Sequence, residues 1–141
     1  MKLIKLNPES TPAYLERIEE HADFFLICLR GKLSTDALER DRHKMTEVIE
    51  TVGLHKKSNL CDFGEVTHSD TATVAALVKR LSEFRKQKGS GRKMIFFNVH
   101  NELRSLFEIT RLSELFMICE SREQAEAELA PKRHVQSTEK V

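Results

Sequence analysis

Asn59-Leu60-Cys61-Asp62-Phe63-Gly64-Glu65-Val66-Thr67-His68-Ser69-Asp70-Thr71-Ala72-Thr73-Val74 joins two kinds of pattern in one short stretch. Asn59–Phe63 reads as a buried strand. From Val74 onward, Val74, Leu77, Val78, Leu81 and Phe84 recur every three or four residues, the spacing of an amphipathic helix over Thr71–Lys88 with Lys79, Arg80, Arg85 and Lys86 on its wet side. Between them, Glu65–Thr73 is rich in small polar side chains. A strand followed closely by a helix is half of a parallel α/β unit. The junction also places an acid, Asp70, beside a hydroxyl, Thr71, where a helix presents unpaired N–H groups and the positive end of its dipole.

The alternation continues on both sides. Phe24–Leu29 is apolar throughout, as in a central strand covered on both faces. Ser34-Thr35-Asp36 opens a helix to about Val52, with Leu38, Met45, Val48, Ile49 and Val52 as its stripe and Gly53 as its stop. Lys93–Asn98 reads as a strand after the turn Gly89-Ser90-Gly91. Asn101 is expected to cap a short helix with Leu103, Leu106 and Phe107 on its inner face. Leu115–Cys119 reads as the last strand, and Ser121-Arg122-Glu123-Gln124 as a capping box for a helix to Leu129. Met1–Leu6 is expected to be an edge strand. Thr11-Pro12 has the form of an N-cap and first helical residue for a short helix to about His21, with Tyr14, Leu15 and Ile18 on one face. From Pro131 the chain is polar and aperiodic, and a disordered tail over residues 131–141 is expected. These elements predict an α/β domain with a central mixed sheet of four or five strands and about four α-helices. Residues 1–130 form the domain, with 1–23 as an N-terminal extension and 24–130 as the core.

Composition narrows the function. The 141 residues suit one domain, and a net charge of +1 with interspersed signs gives no basic stripe for nucleic acid. No apolar run is long enough to span a bilayer and the N-terminus lacks a secretory h-region, so a cytoplasmic protein without membrane insertion is expected. Cys28, Cys61 and Cys119 each lie in an apolar segment and read as buried thiols. The six histidines show no metal-ligand spacing. No metal or cofactor is expected.

Enzymatic readings fail on spacing. Thr71 or Ser69 with the adjacent His68 lacks a nucleophile elbow and a third member. Lys88-Gly89-Ser90-Gly91-Arg92-Lys93 precedes a strand, whereas a phosphate-cradling loop follows one. Asp62 ends a strand as a phosphoryl-accepting aspartate would, but Arg30-Gly31-Lys32 stands where an acidic pair would hold magnesium. Recognition remains.

Three segments in order resemble one family. Leu29-Arg30-Gly31-Lys32-Leu33 is similar to a Leu-x-Gly-x-Leu segment after a strand. Leu60–Thr67 is similar to a Leu-Asp-Leu-Ser-x-Val strand and loop, and Leu103–Phe116 to Val-x-x-Leu-x-x-x-Gly-Leu-x-x-Leu-Phe. With the elements between them, the chain resembles STAS domains, in particular the bacterial anti-sigma factor antagonists, from about Phe24 to Leu129. The family's regulatory word is Asp-Ser-Ser-Gly at the helix start, which falls on Asp70-Thr71-Ala72-Thr73. The acid is kept, and Thr71 keeps a hydroxyl at the phosphoacceptor position. Ala72 and Thr73 replace the second serine and the glycine, His68 and Ser69 replace apolar residues before the acid, and Arg111 replaces a glycine. The resemblance implies a non-enzymatic regulatory module of a partner-switching pathway. Its partner would be an anti-sigma factor or switch-type serine/threonine kinase, bound through Val66, Thr67, His68, Ser69, Asp70, Thr71, Ala72 and Thr73. It also implies an alternative, a STAS scaffold or homodimer without phosphorylation, in a stress-sensing or transporter-associated assembly.

Overall fold

The apolar run at Phe24–Leu29 opens a strand with a neighbour on each side. The computed structural model describes residues 1–88, 93–109 and 116–129. Its sheet has six strands adjacent in chain order: β1 (Lys2–Leu3), β2 (Leu15–Glu20), β3 (Phe24–Lys32), β4 (Ser58–His68), β5 (Met94–Phe97) and β6 (Met117–Cys119). β1, β2 and β3 pair antiparallel, and β3 through β6 pair parallel. The helices are α1 (Thr35–Arg40), α2 (Arg42–Val52), α3 (Thr71–Lys88), α4 (Asn101–Ile109) and α5 (Arg122–Leu129).

Parallel neighbours in chain order, joined by right-handed crossovers, put every connecting helix on the same side of the sheet. The larger apolar cluster lies on that side. It joins Phe25, Ile27, Leu29, Cys61, Phe63 and Phe96 of the sheet to Met45, Val48 and Ile49 of α2, Val74, Leu77 and Val78 of α3, and Leu103 and Phe107 of α4. Phe96 stacks on Phe116 with ring centroids 4.3 Å apart, and Phe107 meets Phe116 edge-on at 5.5 Å. The opposite face is smaller. Phe24, Leu26, Cys28, Leu60, Ile95, Phe97 and Cys119 lie there, with Ala125 of α5 packed among them. Arg17 and Glu19 of β2 pair with Cys28 and Leu26, so they stand on this second face. Glu19 accepts from Arg17 Nε at 3.1 Å, shares a 3.0 Å hydrogen bond with His21 Nε2, and lies 3.7 Å from Arg122 of α5. His21 stacks on Phe24 with centroids 4.4 Å apart.

Several sequence expectations need correction. The predicted helix from Thr11 to His21 is the strand β2, and the sheet has six strands rather than four or five. Tyr14, Leu15 and Ile18 are buried as predicted, but against β3, which supplies the backbone pairing that a solitary two-turn helix would lack. A register shift between Leu15 and Arg17 disguises the two-residue period. The long helix from Ser34 to Val52 is two helices that meet at Asp41, so there are five α-helices among the described residues rather than about four. The Asp41 carboxylate is buried and accepts from the Ala13 N–H at 3.2 Å, a tertiary contact that holds the break. Gly53 does end α2, left-handed at φ 79°. Asn101 is the first residue of α4 rather than its cap; the Arg104 N–H bonds to the carbonyl of His100. Ser121 Oγ accepts from the Gln124 N–H at 3.2 Å, as its capping pattern predicts.

The three thiols are buried and form no disulfide, and burial pushes the Cys28 thiol up to about 11. The turn at Gly89–Gly91, Arg111 and Leu115, and the tail from residue 131 lie outside the described residues, as do the side chains of Leu81, Phe84, Arg85, Lys86 and Leu106.

Candidate functional site

β4 carries the chain to the site and is longer than its apolar part. Glu65–His68, read above as part of a polar connection, is strand, because β3 continues through Arg30–Lys32 alongside it. Two register shifts fall in this stretch, each giving β4 more residues than β3. At the first, the Asp62 carboxylate accepts from the Gly64 N–H at 2.8 Å and from Asn98 Nδ2 at 3.0 Å. At the second, Gly31 takes φ 71°, which disfavours any residue with a Cβ, although open space surrounds it. The Leu33 N–H then bonds to the His68 carbonyl at 2.8 Å and fixes the end of the strand.

Only Ser69 and Asp70 separate β4 from α3. Asp70 is the N-cap. Its Oδ1 accepts from the Thr73 N–H at 2.8 Å, and its carbonyl accepts from the Val74 N–H at 3.1 Å. The Thr73 backbone bond, with weaker help from the Ala72 N–H, holds the Asp70 carboxyl below the ordinary carboxylate value. Thr71 is therefore the first helical residue, with a half-buried side chain beside a fixed negative charge.

The eight predicted partner-binding residues divide by exposure. Thr67, His68, Asp70 and Ala72 are exposed, and Ser69 and Thr71 are half-buried. Val66 and Thr73 are buried, at 3% and 0% exposed, so their side chains hold the segment onto the core. His68 Nδ1 lies 3.2 Å from the Thr67 hydroxyl. Beside them runs an open groove of about 600 Å³, bordered by Phe63, Val66, Thr67, His68 and Ser69 on one side and His100, Asn101 and Leu103 on the other. His100 was not singled out in the sequence, and Asn101 only as a helix cap. Their position just after a strand was the available signal, since connections at the carboxyl ends of parallel strands gather on one side of a sheet. Among the described residues, no group of three or more His, Cys, Asp or Glu side chains is placed to hold a metal ion. No described helix is long and apolar enough to cross a membrane.

Comparison with known proteins places this geometry in a wider set. The chain is similar in fold to the anti-sigma factor antagonist SpoIIAA in its unphosphorylated form, with 18% identity and a TM-score of 0.54 over 81% of this chain and 94% of that one. It is likewise similar to the Bacillus cell fate determinant SpoIIAA in the phosphorylated form, with 20% identity and a TM-score of 0.54 over 82% and 99%. An anti-sigma-factor antagonist (STAS) domain protein from Planctomyces limnophilus matches at a TM-score of 0.64 with 15% identity over 82% and 97%. No curated protein sequence gives a significant match. The model of the STAS domain matches residues 17–125, from within β2 into α5, and the chain belongs to that family.

Proposed function

We propose that this chain is a regulatory protein-binding module of a bacterial partner-switching pathway, akin to anti-sigma factor antagonists. In this reading it binds an anti-sigma factor or a switch-type serine/threonine kinase through Thr67–Ala72 and the outer side of α3. The observation that carries it is the start of α3, where Asp70 caps the helix through a 2.8 Å bond and Thr71 follows with its side chain half in solvent. Two of the similar folds are SpoIIAA, an anti-sigma factor antagonist recorded in unphosphorylated and phosphorylated forms.

Phosphorylation of Thr71 would set a second negative group beside Asp70 on the contact surface. An unmatched charge at a desolvated contact costs several kcal/mol, roughly a tenfold to thousandfold loss of affinity. Thr71→Asp is expected to abolish capture of the partner in a pull-down, while Thr71→Ala retains it. Equal capture by both variants would remove the switch. Incubation with the cognate kinase and ATP, followed by mass spectrometry, is expected to place one phosphate on Thr71.

A second reading, a constitutive scaffold or homodimer, is favoured by the open edge at β1, where Met1 is 78% and Leu3 60% exposed. A stable dimer by light scattering that is indifferent to Thr71 substitution would select it.

A further inference from the structure

Away from the Thr71 surface, a second concavity lies between α1–α2 and α3. Leu38 and Glu39 of α1, Arg42 and Met45 of α2, and Ala76, Leu77, Lys79 and Arg80 of α3 border it, and Tyr14 forms its inner end. Its volume is about 260 Å³, below the roughly 300–1,000 Å³ of sites for drug-sized ligands. Tyr14 is 3% exposed, yet its hydroxyl has no hydrogen-bond partner among the described residues. Buried tyrosine hydroxyls normally have a partner, so this one marks a place where an acceptor is missing. The Asp41 carboxylate is already engaged by the Ala13 N–H.

The charge around the opening is one-sided. Among the described lining residues, Arg42, Lys79 and Arg80 stand with one acid, Glu39, which lies 3.7 Å from the Arg42 guanidinium in a solvent-exposed pair. Burial, with the negative charge of Asp41 next and Arg80 opposing, pushes the Tyr14 phenol far above its ordinary value, so it remains a proton donor at any physiological pH. The walls formed by Leu38, Met45, Ala76 and Leu77 are apolar.

We propose that this cleft binds a small organic carboxylate, its apolar body against Leu38, Met45, Ala76 and Leu77 and its carboxylate accepting from the Tyr14 hydroxyl among Arg42, Lys79 and Arg80. A neutral ligand of the same shape would draw nothing from the charges of Lys79 and Arg80. A bare inorganic anion would leave the apolar walls wet. The site is independent of any partner at Thr71, although α3 borders both.

The test titrates the full chain with benzoate, benzyl alcohol and inorganic phosphate, following backbone amides by NMR. Benzoate is expected to give saturable shifts centred on Leu38, Ala76 and Leu77. Tyr14→Phe keeps the ring and removes only the hydroxyl; it should weaken benzoate by about tenfold or more, the worth of one hydrogen bond to a charged group. Arg80→Gln should weaken benzoate and leave benzyl alcohol unchanged. Without ligand, Tyr14→Phe should melt no lower than wild type, because it deletes a hydroxyl that has no partner. The proposal is overturned if benzoate gives no saturable shifts there, if Tyr14→Phe binds it as wild type does, if phosphate binds as tightly as benzoate, or if Tyr14→Phe alone lowers the melting temperature.

Discussion

Asp70 has two separable properties, a shape and a charge. As a shape, its side-chain oxygen takes the Thr73 N–H and closes the first turn of α3. Asp70→Ala should therefore cost about 1 kcal/mol of stability, the usual worth of an N-cap, and Asp70→Asn, an equally good cap, close to nothing. Chemical denaturation of the three proteins near neutral pH measures this. As a charge, Asp70 has a depressed folded pKa, so its contribution is present above the ordinary value of 3.8 and is lost as pH falls through the lower folded value. Asp70→Asn should lack that loss. The cap was legible in the sequence because capping is local: an acid immediately before a helical stripe determines it. The burial of Thr73, expected from the sequence at the partner surface, was not legible, since its place depends on which side of α3 meets the sheet.

β2 shows how an element escapes a local reading. Thr11-Pro12 is a sound helix-start signal, and Tyr14, Leu15 and Ile18 fit a helical face. They fit a bulged strand equally well, and the hairpin with β3 decides between the two. The same strand carries Glu19, whose environment comes from its immediate neighbours in the chain and from α5. Burial raises its pKa, but bonds from His21 and Arg17 and the charge of Arg122 outweigh this, and the net shift is downward. A depressed carboxylate stabilises the fold above its unfolded value and loses that effect as pH falls through the folded value. Glu19→Gln should therefore melt below wild type near neutral pH. The gap should close as pH drops below about 4.5, the group's ordinary value. A gap of constant size across that range would mean that the charge of Glu19 does not clamp β2 to α5.

The two sides of the sheet are unequally protected. Four helices cover one side, while α5 covers the other with Ala125 fully buried among Cys28, Phe97 and Cys119 and their neighbours. Ala125→Asp would bury an unpaired charge on the thin side, a substitution expected to cost several kcal/mol if α5 stayed docked. Release of α5 is the cheaper outcome. Hydrogen exchange should then quicken in α5 and β6 while β3 and α2 stay protected, and a dye that binds exposed apolar surface should bind more strongly. Global unfolding of every element together would show that the second cluster is integral to the larger one.

The chain's own pattern settles the alternation of strand and helix from Phe24 onward, the α3 junction with its Asp70-Thr71 pair, the capping of α5 and the membership of a known family. Each of these depends on neighbours a few residues apart, within one turn of helix or one pleat of strand. The extent of β4, the strand identity of Leu15–Glu20, the break at Asp41, the nearness of His100 to His68 and the unanswered hydroxyl of Tyr14 follow from contacts between segments far apart in the chain. No local period records such contacts. They exist only once β3 offers its two edges and the helices close over one face.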